Sequence, residues 1–150
     1  MEKNRKIIFA GTVNAAGASV RGQGKGICTL TLNGDRKLTH LSDIECRNGG
    51  IITSFNDQFI YAANEVKDFG GLNGSGGGVS AYSVNEDGSL SFLNSSISYG
   101  SRTSYVTVSE SGRYLLATNH GSHSTVTCSY VQNENGEWIL KRGFDDSSIA

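Results

Sequence analysis

A repeat of a little over fifty residues constrains the fold of this chain more than any other feature of its sequence. The segment IFAGT at residues 8–12 recurs as IYAAN at residues 60–64 and as LLATN at residues 115–119. Each copy is a short apolar run that ends in a small polar residue. Such self-similarity at a fixed period is typical of repeat architectures, in which each unit buries its apolar surface only against its neighbours.

Further segments follow each copy in the same order. The second segment alternates apolar and polar residues, which predicts a strand with one buried face, and it occupies residues 26–33, 78–85 and 125–133. A Gly-containing turn then leads to a third strand at residues 37–41, 89–93 and 137–140. Before the second and third copies stands one more predicted strand, at residues 50–54 and 105–109. The unit therefore contains four antiparallel strands, except that the first copy contains three.

Four antiparallel strands per fifty-odd residues predict an all-β fold of β-propeller blades. We expect blade 1 at about residues 6–43 without its innermost strand, blade 2 at about 49–95 and blade 3 at about 104–142. Because propellers close with four to eight blades, three blades do not close a ring. Either the same polypeptide continues with the missing C-terminal blades, which we favour, or copies of the chain assemble. An ordinary β-sandwich would explain the strands but not the period.

Composition excludes several classes of function. The 150 residues include 20 Gly and no Pro, and the scattered charges sum to −1, so we expect no nucleic-acid partner. No apolar stretch approaches the roughly 18 residues of a membrane helix, and no export signal is evident at the start, so we expect no membrane association and a cytoplasmic location. The three cysteines are spaced unlike a zinc knuckle or a redox pair, which predicts reduced thiols.

Four segments carry a family resemblance: YAANE at residues 61–65, GGVSAY at 77–82, EDGSL at 86–90 and VSESGRYLLATN at 108–119. Together they resemble the seven-bladed propeller lactonase family, which includes cycloisomerase-type 6-phosphogluconolactonases and the carboxymuconate lactonizing enzyme. The resemblance implies about three of seven expected blades. It also implies hydrolysis of a small-molecule sugar lactone, foremost 6-phosphogluconolactone to 6-phosphogluconate in the pentose phosphate pathway, without a cofactor. At Tyr105 the chain departs from the family, which has a histidine there.

Blade geometry indicates which residues could form a site. In a propeller blade, the loop that enters the innermost strand and the loop that leaves the second strand lie at the same rim of the central channel. Lactone hydrolysis needs a base, donors to the developing oxyanion and cations for an anionic substrate. We therefore predict Glu65 or His120 as the base. The predicted substrate-binding residues are Arg47 and Arg102 as anion anchors, Asn64 and Asn119 as carbonyl donors, and Tyr105.

Alternative roles remain open for these residues. Asn64 and Asn119 could instead hold their own loops, and Glu65 and the two arginines could be solvated surface charges. We predict no metal site, because His120 and His123 have no third ligand nearby in the sequence, and we expect His40 to be structural. The alternative functions are a non-catalytic propeller that serves as a binding platform and a self-assembling propeller subunit.

Overall fold

The computed structural model describes residues 5–14, 22–71, 76–121, 126–132 and 138–145, which form three antiparallel sheets. The first sheet contains β1 (Lys6–Gly11), β2 (Ile27–Leu32) and β3 (Leu38–Ile44). The second contains β4 (Ile51–Phe55), β5 (Phe59–Asn64), β6 (Gly78–Val84) and β7 (Leu90–Ile97). The third contains β8 (Thr103–Val108), β9 (Tyr114–Asn119), β10 (Val126–Gln132) and β11 (Trp138–Asp145).

In each sheet the strands lie side by side in chain order, as in a propeller blade. The predicted all-β class, the four-stranded antiparallel sheets and the three-stranded first sheet are confirmed. Helical structure in the described residues is limited to one short turn, Phe69–Gly71. Within that described part of the chain, no helix has the length and apolar character needed to cross a membrane.

The burial patterns show which sheet faces are covered. Along β2 and β9, buried residues alternate with more exposed ones, because one face of each strand packs against a neighbouring sheet. Five successive residues of β5, from Ile60 to Asn64, are buried, and the first five residues of β6 are buried as well. The prediction of one buried face is therefore confirmed for β2 and wrong for β6, because the second sheet lies between the other two.

Two apolar clusters fill the spaces between the sheets. The cluster between the first and second sheets has Ile27, Ile60 and Tyr82 at its centre. The cluster between the second and third sheets has Tyr61 and Leu115 at its centre, with alanines around them. Since consecutive residues of β5 point to opposite faces, Ile60 and Tyr61 enter different clusters. The second sheet thus joins the three sheets into one packed stack.

A β-bulge recurs at the same place in all three sheets. The register between the second-last and last strand shifts after Thr29 in the first sheet, after Ala81 in the second and after Ser129 in the third. In each case the last strand contains one extra residue. Beyond that residue, each side chain points to the opposite face of the sheet from the one expected for a regular strand. The bulge is therefore part of the repeating unit.

We expect Leu115→Ala to lower the free energy of unfolding by about 2–5 kcal/mol, because the side chain is fully buried between the second and third sheets. Its neighbour Leu116 points to the other face of the third sheet and is 39% exposed, so Leu116→Ala is the matched control. The control is expected to cost less than about 1 kcal/mol. Urea unfolding of both variants measures the difference, and equal losses would contradict the assigned orientation of β9.

Candidate functional site

The candidate site lies where β5 and β9 end and where the loops that lead into β4 and β8 approach them. Each approaching loop contains a non-glycine residue with a left-handed backbone, Asn48 (φ 48°) and Arg102 (φ 57°). The carbonyl of Asn48 accepts a hydrogen bond from the Glu65 amide, and that of Arg102 accepts one from the His120 amide, both at 3.2 Å. Glu65 and His120 therefore occupy equivalent positions in two successive sheets.

Hydrogen bonds also join the loops of neighbouring sheets. The Arg102 amide donates to the Val66 carbonyl at 2.8 Å, which connects the third sheet to the second at the rim. Between the first and second sheets, Asn14 and Asn48 each accept the other's backbone amide through a side-chain oxygen, both at 2.9 Å. Asn48 Nδ2 also donates to the Glu65 carbonyl at 3.1 Å. Asn48 thus fixes the backbone that carries Glu65, a positioning role that the sequence analysis did not assign to it.

The structure brings the two predicted base candidates together. His120 Nε2 lies 3.7 Å from Glu65 Oε1, which is ion-pair distance but longer than a hydrogen bond. The Glu65 side chain is 26% exposed and that of His120 is 48% exposed, so both are accessible to a small molecule. An imidazole next to a carboxylate can accept a proton from water and be stabilised as the imidazolium.

The two predicted anion anchors differ in their surroundings. Arg47 Nη2 contacts both carboxylate oxygens of Asp68, at 2.8 and 2.9 Å, and this guanidinium holds the pKa of Asp68 below its ordinary value. Because the pair is exposed and already neutralised, Arg47 attracts an anion less strongly than an isolated arginine would. No local pattern indicates Asp68 as a partner of Arg47, since 21 residues separate the two.

Arg102 has no such carboxylate partner in the described part of the chain. Its Nε is buried and makes no hydrogen bond to any described residue, and the same is true of the hydroxyl of the preceding Ser101. Gly121 makes this arrangement possible, because a Cβ there would lie 2.8 Å from the Arg102 side chain. An unpaired buried guanidinium nitrogen is costly unless it finds an acceptor, so Arg102 is the better placed of the two anchors.

The amides of Asn64 and Asn119 are bonded within the protein, and both residues are 1% exposed. Asn64 Nδ2 donates to the Arg47 carbonyl at 2.8 Å, and its Oδ1 accepts from Ser80 at 2.8 Å. Asn119 Oδ1 accepts from the hydroxyls of Ser98 at 2.6 Å and Thr103 at 2.8 Å. These contacts agree with a structural role for both amides, but each amide holds the segment that leads into the first strand of its sheet and not its own loop.

Tyr105 lies apart from this arrangement. Tyr105 pairs with Thr118 on the face of the third sheet that points away from the second, and it is 56% exposed.

A cavity of about 490 Å³ opens between the first and second sheets, with Lys6 at one end of β1 among its lining residues. None of the predicted site residues lines it. His123 lies outside the described residues.

We expect Asn119→Ala to destabilise the chain by about 1–3 kcal/mol, because the buried hydroxyls of Ser98 and Thr103 lose their shared acceptor. The adjacent His120→Ala is the control, since this half-exposed side chain makes no buried contact and should cost less than about 0.5 kcal/mol. Urea unfolding again provides the measurement. A destabilisation by His120→Ala as large as that by Asn119→Ala would show that the rim is held together differently.

Two solved structures are similar to this chain. A protein from Bacteroides fragilis NCTC 9343, provisionally assigned as a 6-phosphogluconolactonase, shares 23% identity at a TM-score of 0.74, over 95% of this chain and 36% of its own. The periplasmic gluconolactonase PpgL of Pseudomonas aeruginosa shares 18% identity at a TM-score of 0.75, over 94% of this chain and 39% of its own. The chain thus spans little more than a third of each, and at these identities the likeness shows the fold.

Comparison with curated proteins gives no match. A family model described as "Lactonase, 7-bladed beta-propeller" matches residues 8–140, which is most of the 150-residue chain and includes all three sheets except the first two residues of β1 and the last five of β11. The match agrees with the resemblance in the repeat segments and with the observed blade topology. The chain belongs to the seven-bladed β-propeller lactonase family.

Proposed function

We propose that this chain contributes to the hydrolysis of a sugar lactone, with 6-phosphogluconolactone as the substrate and 6-phosphogluconate as the product. The observation that carries the proposal is the pair of Glu65 and His120, 3.7 Å apart on equivalent rim positions of two successive blades. Family membership supports the reaction class, and the names of the two similar structures support a gluconolactone as the substrate.

In the proposed reaction, His120 is the base and Glu65 its partner. Water attacks the lactone carbonyl carbon while His120 takes a proton from that water, and the carboxylate of Glu65 stabilises the resulting imidazolium. The carbonyl oxygen becomes an oxyanion in a tetrahedral intermediate. Collapse of the intermediate breaks the bond to the ring oxygen, which takes up the proton held by His120, and the product is the open-chain acid. Imidazole suits this role because it ordinarily titrates closest to neutral pH.

The substrate phosphate provides the second part of the proposal. Arg102 is the proposed anchor, because no carboxylate in the described part of the chain neutralises its guanidinium and a guanidinium binds phosphate through parallel hydrogen bonds. Arg47 has a secondary role here, since Asp68 already holds its guanidinium. Asn64 and Asn119 have a structural role in this scheme, because a substrate could reach their amides only by breaking buried hydrogen bonds.

The base is tested with His120→Gln and Glu65→Gln in the protein isolated at its native length from its source cells. Loss of a general base typically costs 10²–10⁴-fold, so we expect kcat on 6-phosphogluconolactone to fall by about 100-fold or more in His120→Gln. Glu65→Gln is expected to cost less, because the imidazole remains. Glu86→Gln, an exposed carboxylate in an outer turn, is the control and should leave kcat unchanged.

The outcomes of this experiment separate the alternatives. An inactive wild-type protein would contradict the enzymatic function and favour the binding platform. A wild-type level of activity in His120→Gln would leave lactone hydrolysis standing and contradict this assignment of the base.

The anchor is tested by comparing a phosphorylated with an unphosphorylated lactone. We expect Arg102→Ala to raise KM for 6-phosphogluconolactone by about tenfold or more, since a charge-assisted hydrogen bond is worth about 1.5–3 kcal/mol, and to leave KM for gluconolactone unchanged. Arg113→Ala, an exposed arginine in the turn before β9, is the control. Equal effects of Arg102→Ala on both lactones would mean that Arg102 supports the loop and does not bind phosphate.

A further inference from the structure

Three side chains of different chemistry converge on one face of the first sheet. Cys28 of β2 lies directly opposite Asp43 of β3, and His40 of β3 lies opposite Leu30, two residues along from Cys28. His40 Nε2 is 3.0 Å from Asp43 Oδ1. The thiol, an imidazole nitrogen and a carboxylate oxygen all lie within 4.8 Å of one another. We call these three residues the β2–β3 cluster.

The β-bulge of the repeating unit creates this convergence. In a regular strand, residues three apart point to opposite faces, so His40 and Asp43 would be separated by the sheet. The register shift after Thr29 places one extra residue in β3, and His40 therefore lies on the face of Cys28 and Asp43. Bulges commonly redirect a side chain in this way.

The other two sheets have the bulge but not the three side chains. In the second sheet the residues at the corresponding register positions are Ser80, Phe92 and Ser95. In the third sheet they are Cys128, Leu140 and Gly143. Blade geometry therefore does not require a thiol, an imidazole and a carboxylate at these positions. The combination is particular to the first of the three sheets described.

The cluster already has one cation as a neighbour. Lys25 Nζ lies 3.2 Å from Asp43 Oδ2, the carboxylate oxygen that His40 does not contact. The Lys25 side chain is 78% exposed, so it can move aside at little cost. His40 and Lys25 hold the pKa of Asp43 below its ordinary value, whereas burial and the hydrogen bond to Asp43 raise the pKa of the Cys28 thiol.

We propose that Cys28, His40 and Asp43 bind one divalent transition-metal ion of the Zn²⁺ class, with water at the fourth position. Thiolate sulfur, imidazole nitrogen and carboxylate oxygen are the ligands that Zn²⁺ takes in proteins, and three protein ligands plus water complete a tetrahedron. On binding, the metal–sulfur bond replaces the S–H bond of Cys28, and the thiol proton leaves to solvent. The site lies on strands of the first sheet, whereas the proposed hydrolytic pair lies on loops of the second and third.

The test is a titration of the chain with Co²⁺, which substitutes for Zn²⁺ and gives a thiolate-to-metal charge-transfer absorption when sulfur is a ligand. We expect one ion per chain and loss of this absorption in Cys28→Ser, with no change in the control Cys128→Ser. Loss of a residue that hydrogen-bonds to a metal ligand costs roughly 10–100-fold in affinity, so loss of a ligand itself in His40→Gln or Asp43→Asn should cost at least about tenfold.

A substitution with the opposite effect makes the test sharper. Lys25→Met removes the cation that competes for Asp43, and it should tighten Co²⁺ binding by up to about fivefold, as expected for one exposed ion pair. Weaker binding in Lys25→Met would contradict the proposal. It would mean that substitutions here weaken Co²⁺ binding by destabilising the sheet, and that release of the Asp43 carboxylate does not assist binding. Absorption that persists in Cys28→Ser would also overturn it.

A second measurement does not depend on how the variants fold. Zn²⁺ should slow alkylation of Cys28 in the unsubstituted chain by at least about tenfold and leave the alkylation rate of Cys128 unchanged, as resolved by mass spectrometry of the peptides. Equal rates for Cys28 with and without Zn²⁺ would exclude Cys28 as a ligand.

Discussion

The burial of both faces of the second sheet is the interaction on which the rest of this structure depends. Ile60 and Tyr82 pack towards the first sheet, while Tyr61 packs towards Leu115 of the third. Alanines at positions such as 62 and 63 keep the sheets close, because they fill little of the space between them. In the outer sheets, β2 and β9 each have one covered face and therefore retain alternating exposure. The stack is stable only as long as each sheet covers the apolar face of its neighbour.

The close approach of the sheets also determines the rim. β5 and β9 belong to neighbouring sheets of one stack. Their ends therefore lie side by side, and backbone hydrogen bonds can join the loops of the two sheets. The Arg102 amide reaches the Val66 carbonyl in this way, and the carbonyls of Asn48 and Arg102 each hold the residue that follows a strand. Glu65 and His120 are neighbours because of these bonds, and not because of any attraction strong enough to order two exposed side chains.

The period, the strands and the missing inner strand of the first sheet could be predicted from the sequence, because hydrophobic alternation and turn residues are local signals. The location of Glu65 and His120 on one rim was also expected from the repeat, which places both residues at the same point of successive blades, but their contact was not. Other features depend on partners remote in sequence. Nothing local shows that Asp68 neutralises Arg47, or that Tyr105 points away from the second sheet. The β2–β3 cluster depends on a register shift, which no local pattern in β3 reveals.

The three copies of the repeat can be compared position by position. Such a comparison distinguishes residues that folding needs from residues that are available for chemistry. At the end of β1, β5 and β9, the three copies have Thr12, Asn64 and Asn119. Thr12 Oγ1 donates to the Gly26 carbonyl, Asn64 Nδ2 donates to the Arg47 carbonyl, and Asn119 Oδ1 accepts from Thr103. A small polar side chain persists there because each copy uses it to hold another segment of its own sheet. One position later the copies have Val13, Glu65 and His120, and no common structural need explains such different side chains. Copies of a folding unit can diverge only where folding does not depend on the side chain. A divergent and partly exposed position, with a carboxylate in one copy and an imidazole in the next, is therefore where chemistry can be placed at little cost in stability.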